Sequence, residues 1–361
     1  MRPNLLQFVA LASAGVIKHK PGPKDIFSCG IPLPTFENGT RAASWAQYLD
    51  ETQAHIGQNS QGATDMFAGP VGRAPVRWPR NSDNKAVIPY CYQTEEVRKA
   101  ALPIVSDGIR TWMSYLGPAG KEAGHAISFE EQLNRGGGKP IYCTPDSKAL
   151  DDWNSALPHA TLAIYWGGEE MGWSASVGLQ PDQDTPWANQ LHIGDGECLH
   201  CVLHELGHVM GMVHEHQRSD RDTYIKVQYE NINDFEECWE RAKVKGDPKV
   251  TRSNICDNMR YALKYDCLCG HFVKGITGNL LPLFTLDVYD IDSVMHYPSS
   301  SGATTECPNY GSEEFSNRCP IQVYIDYEDH SKGLTMLVPN LRPSDQDIKW
   351  VKHVYPYNVE I

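Results

Sequence analysis

Hydrophobic residues recur at helical spacing between Thr94 and Leu116. The apolar positions in this stretch are Val97, Ala101, Ile104, Ile109 and Trp112. Residues three or four apart share one face of a helix, so the stretch predicts a long amphipathic helix that backs a sheet. Asp107 and Gly108 interrupt the pattern and predict a weak point in the middle of this helix.

Three shorter runs predict strands, at residues 160–165, 173–177 and 189–193. Residues 18–73 have a different character, because they are polar, rich in Gly, Pro, Gln and Ser, and show no strong period. This composition is typical of a prosegment or a linker. No apolar run approaches the roughly 20 residues that a membrane-spanning helix needs.

The amino terminus resembles a secretion signal. Arg2 supplies a positive charge, residues 5–17 are mostly apolar or small, and Ala12-Ser13-Ala14 fits a small-residue cleavage site. We therefore interpret residues 1–17 as a signal peptide with cleavage after residue 14. A short core strand or a helix of the prosegment is the alternative.

Composition limits the classes of function. The chain has 361 residues, of which 41% are hydrophobic, enough for one large domain with attachments. A formal net charge of −13 argues against nucleic acid or an anionic membrane as a partner. Eleven cysteines favour an oxidising compartment and disulfides, and hence an extracellular location.

Residues 204–214 carry the strongest chemical signal. His204 and His208 are four apart, so a helix places both imidazoles on one face, where they can bind one Zn²⁺. Glu205 lies beside the metal, free to take a proton from its water. Gly211 can adopt the left-handed turn that ends a helix, which returns His214 as a third ligand. Three protein ligands and an open position are typical of catalytic zinc, whereas a chance match on a buried helix is the alternative.

Further residues make the sequence similar to the astacin family of metzincin peptidases, over about residues 78 to 357. The matching segments are Glu215 and Arg218 to Asp222 after the third histidine, Ser293 to Tyr297, Ile88 to Tyr90, Tyr224 to Ile232, Ser344 to Ile348, and Tyr355. Glutamate directly after the third histidine distinguishes astacins from other metzincins. Membership of another metzincin family is the alternative within this group of peptidases.

The resemblance assigns roles by position. The residues that would bind the single zinc ion are His204, His208 and His214. Glu205 would be general base and acid, and Tyr297 would steady the oxyanion. Met295 would form an apolar floor below the metal, and Glu215 would meet the freed amino terminus. Structural roles are expected for Arg218, Asp220, Arg221 and Asp222.

The resemblance also implies a fold and an activity. The fold would be α+β, of the zincin type with two lobes: an amino-terminal twisted mixed sheet with a backing helix and the zinc helix, and an irregular carboxyl-terminal lobe with a closing helix. Residues 74–361 would form this catalytic domain and hydrolyse peptide bonds in protein or peptide substrates. A substrate would add as a strand near residues 172–178. A catalytically silent secreted binding module is the alternative.

Latency is expected from residues 18–73, with activation by a protease after Arg73. The family's usual aspartate is missing, because the matching stretch reads Phe67-Ala68-Gly69-Pro70. Cys29, in a Ser-Cys-Gly-Ile-Pro segment that resembles a cysteine switch, is one candidate to block the zinc. Asp65 is another.

The cysteines depart from the family's framework, since Gly172 and Tyr355 to Tyr357 stand where astacins carry cysteines. Cys238, Cys256, Cys267 and Cys269 lie together in one enlarged segment, and Cys307 and Cys319 flank a later loop. We expect local bridges within these two segments, for example between Cys307 and Cys319. Cys198 and Cys201 precede the zinc helix and have the spacing of metal ligands. No second pair matches them, so a metal site there is not expected.

Overall fold

The computed structural model describes most of the chain from residue 77 to residue 357. The described ranges are 77–134, 136, 138–146, 152–167, 172–180, 186–194, 196–274, 288–304, 307 and 317–357. The expected signal peptide, the prosegment, Asp65 and Cys29 lie outside them.

Strands predominate in the first half of the described chain, with one long helix after the first strand and a second helix after the fifth. The strands are β1 (Ala86–Tyr92), β2 (Ile127–Glu131), β3 (Leu162–Gly167), β4 (Ser174–Ala175), β5 (Gln190–Gly194), β6 (Ile225–Val227), β7 (Ile321–Tyr324) and β8 (Leu334–Thr335). The α-helices are α1 (Glu95–Leu116), α2 (Leu199–Met210), α3 (Phe235–Lys245), α4 (Met259–Lys264) and α5 (Asp345–Val354). The class is α+β, as predicted.

A five-stranded mixed sheet forms the first lobe, in the order β2-β1-β3-β5-β4. Its strands pair in parallel except β4, which runs antiparallel to β5 at one edge. The three strands predicted in this region are present, and each end is shifted by one or two residues. Residues 172–178, where a substrate strand is expected to add, therefore contain an edge strand of this sheet, β4.

The predicted long helix is confirmed, but its weak point is not. The side chain of Thr94 accepts a hydrogen bond from Val97 N and starts α1, which runs unbroken to Leu116. Gly108 lies where α1 meets α2, and a Cβ there would come within 2.9 Å of Val202 Cγ1. The glycine permits close helix packing, and that tertiary contact outweighs its low helix propensity.

The described residues form two large hydrophobic clusters and a small third one around Cys91, Cys143, Leu157 and Ala163. The first lies between the sheet, α1, α2 and α5, and the second surrounds α3, α4, β6 and β7. The carboxyl-terminal lobe is less irregular than predicted, since β6, β7 and β8 form an antiparallel sheet. The β6–β7 pairing joins segments about ninety residues apart, a contact that a local pattern does not reveal.

Five disulfides join the ten cysteines that follow Arg73. They are Cys91–Cys143, Cys198–Cys201, Cys238–Cys267, Cys256–Cys269 and Cys307–Cys319. The expected local bridges are therefore present, including Cys307–Cys319. Among the described residues, no helix is both long and apolar enough to cross a bilayer.

Candidate metal centre and catalytic site

Helix α2 is held in place along its length by side chains of other elements. Trp112 Nε1 donates to Leu203 O (3.0 Å) and Trp78 Nε1 to Val209 O (2.7 Å). At the last turn, the Tyr355 hydroxyl donates to Met210 O at 2.7 Å. Tryptophan and tyrosine can thus fill the core while satisfying backbone carbonyls, and they fix the helix that carries the candidate ligands.

The helix ends at Gly211, as predicted from the sequence. This residue has φ 107°, in the left-handed region, and its N–H donates to Gly207 O and His208 O. A side chain is disfavoured at this backbone conformation, which glycine adopts freely. The resulting turn brings His214 back beside His204 and His208.

The three histidines converge through their Nε2 atoms. These atoms lie 3.1 Å apart for His204 and His208, 3.0 Å for His208 and His214, and 3.0 Å for His204 and His214. A tetrahedral zinc with Zn–N bonds of about 2.0–2.1 Å would place two nitrogens about 3.3 Å apart, so the spacing fits with a small expansion.

The opposite ring nitrogens fix the tautomers. Nδ1 of His204 lies 2.8 Å from Val294 O, and Nδ1 of His208 lies 2.8 Å from Met212 O. Nδ1 of His214 lies 2.7 Å from Gln217 Oε1. Because these oxygens only accept, each Nδ1 carries the hydrogen and each Nε2 directs a lone pair to the centre. Three converging lone pairs are the donor set that a cation requires.

Burial keeps these imidazoles neutral. Desolvation lowers the pKa of His204 and His214 well below the ordinary value, and lowers the pKa of His208 to about 4. A neutral imidazole is the form that binds a metal. The other group of metal-ligand geometry in the described chain is Cys238, Cys267 and Cys269, and its sulfurs are in disulfides.

Glu205 and Tyr297 are both neighbours of the candidate ligands. Glu205 follows His204 on α2 and is buried. The ring of Tyr297 is centred 4.5 Å from that of His214 and 5.5 Å from that of His204. It also stacks on His216 at 4.2 Å, so this buried histidine supports the tyrosine ring.

Met295 lies in a turn that contacts the zinc helix without a gap. A Cβ on Gly207 would come within 2.3 Å of Met295 Sδ. The turn is anchored by Asp347 of α5, which accepts from Ser293 Oγ at 2.7 Å and from Val294 N at 2.9 Å. Since Val294 O bonds His204, the closing helix supports a candidate ligand through this turn. The sequence motif identifies Met295, but nothing in the motif marks Asp347 as the anchor of its turn.

Glu215 connects the third histidine to the same turn. Its N–H donates to Met295 O, and its Oε1 accepts from Asp290 N at 2.8 Å and lies 3.3 Å from Arg218 Nη1. Burial is the largest influence and raises the pKa of Glu215 to about 8. The expected partner, a freed amino terminus near residue 74, lies outside the described residues.

The charged residues that follow form the ion pairs expected of them. Arg218 binds Asp220 at 2.7 Å, and Arg221 lies 3.4 Å from Asp222. Arg221 also donates to His216 O at 2.9 Å. These contacts hold the backbone that follows His214.

Two other histidines near the motif make hydrogen bonds outside the ligand set. His200 Nδ1 bonds Asn340 O at 2.9 Å, and His296 Nε2 bonds the Tyr289 hydroxyl at 2.7 Å. Neither histidine belongs to the group of three whose Nε2 atoms converge.

Comparisons with known proteins agree with this geometry. The family model described as Astacin (Peptidase family M12A) matches residues 165–264. Astacin-like metalloprotease toxin 4 of Loxosceles laeta is 50% identical over 52 residues, which cover 13% of this chain and 46% of the toxin. Zinc metalloproteinase nas-5 of Caenorhabditis elegans is 34% identical over 98 residues, covering 27% of this chain and 24% of that protein.

One solved structure matches more of the chain, at lower sequence identity. High choriolytic enzyme 1, a hatching enzyme zinc-protease of Oryzias latipes, is 19% identical with a TM-score of 0.42, covering 77% of this chain and 94% of that one. This chain spans less than half the length of the two curated relatives. The matched residues 165–264, which hold the three histidines and Glu205, are therefore similar to the astacin family of peptidases.

Proposed function

We propose that this chain is a zinc-dependent endopeptidase that hydrolyses peptide bonds in protein or peptide substrates. The convergence of three neutral, tautomer-fixed imidazoles on one point carries the proposal. His204, His208 and His214 would hold one zinc ion. The relatives' names, which include metalloprotease and zinc metalloproteinase, support the same reading.

The roles of the chain's own residues follow from their positions. Zinc, when bound, supplies a Lewis acid that lowers the pKa of water and polarises a carbonyl. Glu205 takes the proton of the attacking water and later delivers it to the leaving amine. The Tyr297 phenol donates a hydrogen bond to the oxygen that becomes negative.

A substrate would bind in extended form along β4. This strand ends the sheet, and its inner side already pairs with β5, leaving its outer side as the place for an added strand. Gly178 N donates to His208 O at 2.8 Å, so the edge is fixed directly to a candidate ligand. Backbone pairing would present the scissile carbonyl to the metal centre.

We further propose that the protein is secreted and made as a zymogen. Residues 1–17 would be the signal peptide, residues 18–73 the prosegment, and residues 74–361 the catalytic domain. Five disulfides support an oxidising compartment, and they leave Cys29 as the odd cysteine of the chain. Cys29 remains the candidate latency group. A Cys29→Ser zymogen with unchanged latency would contradict that role.

The test is cleavage of a quenched peptide before and after limited trypsin, with and without a zinc chelator. Glu205→Gln should lower kcat about 10²–10⁴-fold, and Tyr297→Phe about 10²–10³-fold, with zinc still bound. The matched control is Glu131→Gln, because Glu131 lies on β2, at the opposite edge of the sheet from β4, where it pairs with Arg98 of α1.

The outcomes separate the possibilities. Chelator-sensitive cleavage that is lost in Glu205→Gln and kept in Glu131→Gln supports the peptidase. Equal activity of wild type and Glu205→Gln contradicts the assigned chemistry. A folded, processed, zinc-loaded chain that cuts nothing favours a binding module.

A further inference from the structure

We propose that Gln217 is a positioning residue that links the third candidate zinc ligand to a disulfide-stapled segment of the carboxyl-terminal lobe. This stapled segment, residues 235–273, contains α3 and α4 and is closed by Cys238–Cys267 and Cys256–Cys269. The inference rests on the proposed zinc site and adds a residue that neither the sequence pattern nor the family motif assigns.

The hydrogen bonds of Gln217 determine the orientation of its amide. Nε2 lies 3.2 Å from Val273 O and 3.5 Å from Gly270 O. Carbonyl oxygens only accept, so the NH₂ end of the amide must face them and Oε1 must face His214 Nδ1. The stapled segment thereby sets the tautomer of His214, which leaves Nε2 free to bind metal.

His214 differs from the other two ligands in this support. The Nδ1 atoms of His204 and His208 face backbone carbonyls, whereas Nδ1 of His214 faces a side chain that mutation can remove. Gln217 is only 2% exposed, so water has little access to replace its oxygen. Loss of this acceptor should therefore weaken zinc binding.

The disulfides order the backbone of the stapled segment that contacts Gln217 and its neighbours. Gly270 directly follows Cys269, whose disulfide to Cys256 fixes the start of the turn that supplies the carbonyls. His216 Nε2 donates to His271 O at 2.9 Å, and Arg221 donates to Phe272 O. These further bonds should keep the segment docked when Gln217 is changed, so the fold should survive the substitution.

The experiment measures zinc affinity by competition with a coloured chelator, together with the Co²⁺ absorption spectrum. Gln217→Leu should raise the zinc Kd about 10–100-fold and alter the Co²⁺ spectrum. Gln217→Glu keeps an acceptor for His214 and should bind zinc within about tenfold of wild type, with a lower Tm. The lower Tm is expected because a carboxylate faces the Gly270 and Val273 carbonyls.

Gln190→Leu is the matched control. Gln190 also bridges a histidine and a carbonyl, with Oε1 2.9 Å from His192 Nε2 and Nε2 2.6 Å from Trp187 O, but it contacts no candidate ligand. Its zinc Kd should stay that of wild type. The double variant Cys256→Ala, Cys269→Ala tests the linkage itself. It should weaken zinc binding when introduced into the wild-type chain, but should cause no further loss when introduced into Gln217→Leu.

Each result has one meaning. Wild-type zinc affinity in folded Gln217→Leu, or equal losses there and in Gln190→Leu, overturns the positioning role. Additive losses with the disulfide variant overturn the linkage. If leucine prevents folding, Gln217→Glu decides, since a folded glutamate variant that loses zinc also contradicts the acceptor role. A wild-type chain that binds no zinc would instead contradict the proposed function.

Discussion

Replacement of Gly207 by alanine tests how closely the turn that contains Met295 contacts the zinc helix. The new Cβ would lie 2.3 Å from Met295 Sδ and 3.5 Å from Met212 Sδ. Ordinary contact begins near 3.4 Å, so the thioether would have to move by about 1 Å within a packed core. Met295 itself is only 1% exposed and has no solvent to move into.

Two opposing effects set the magnitude. Overpacking of a core costs about 1–3 kcal/mol, and a clash this short falls in the upper half of that range. Alanine in place of glycine inside a helix returns about 1 kcal/mol. The net loss in the free energy of unfolding should be about 1–2 kcal/mol, which lowers Tm by about 2–8 °C in a domain of this size.

The same clash should weaken zinc binding. Asp347 fixes the turn through Ser293 and Val294, and Val294 O holds His204 Nδ1. A turn pushed away from Gly207 therefore displaces the acceptor that orients a candidate ligand. We expect the zinc Kd to rise about tenfold, at the lower end of what supporting residues contribute.

Thermal unfolding of the metal-free protein and a zinc titration measure both effects. Gly108→Ala is the control, since its Cβ would meet terminal methyl groups at 2.9 Å (Val202 Cγ1) and 3.0 Å (Leu206 Cδ1), not the turn. It should change zinc affinity less than Gly207→Ala does, because it does not displace the turn that orients His204. A Gly207→Ala protein that is about 1 kcal/mol more stable, as helix propensity alone requires, and that binds zinc normally would refute the reasoning.

Two further predictions concern the tertiary connections. Burial raises the pKa of Asp347 from 3.8 to about 6. Between these two pH values the native state binds more protons than the unfolded chain. The contribution of Asp347 to stability should therefore fall as the pH rises from one value to the other. Asp347→Asn should remove this pH dependence of stability and lower the free energy of unfolding by about 1–3 kcal/mol, because an amide cannot accept from all of the donors that Asp347 now has. Urea unfolding at pH 4, 5, 6 and 7 measures both effects. An unchanged pH dependence would contradict the assignment. Joint replacement of Cys91 and Cys143 by alanine should lower the free energy of unfolding by about 4 kcal/mol, since this bridge closes a loop of about 50 residues. Guanidinium unfolding checks this, and a loss below about 1 kcal/mol would show that the denatured chain is not constrained by the bridge.

Local sequence determined the elements that carry the site. The bounds of α1 follow from apolar spacing and from Thr94, because an amphipathic stripe and a cap act within a few residues. Gly211 predicted the end of the zinc helix for a similarly local reason, since few other residues adopt φ 107°. The Cys307–Cys319 bridge was also foreseeable, as its partners are 12 residues apart.

Tertiary structure alone decided what supports those elements. Gln217 meets carbonyls more than fifty residues away, and Asp347 reaches the turn at Ser293 from α5, yet no periodic pattern marks either residue. The continuity of α1 through Gly108 depends on a neighbour, Val202, that becomes adjacent only on folding. Periodicity and motif spacing report interactions between residues close in the chain. Buried hydrogen bonds between distant segments depend on how the lobes pack, and the sequence specifies that packing only through the whole fold.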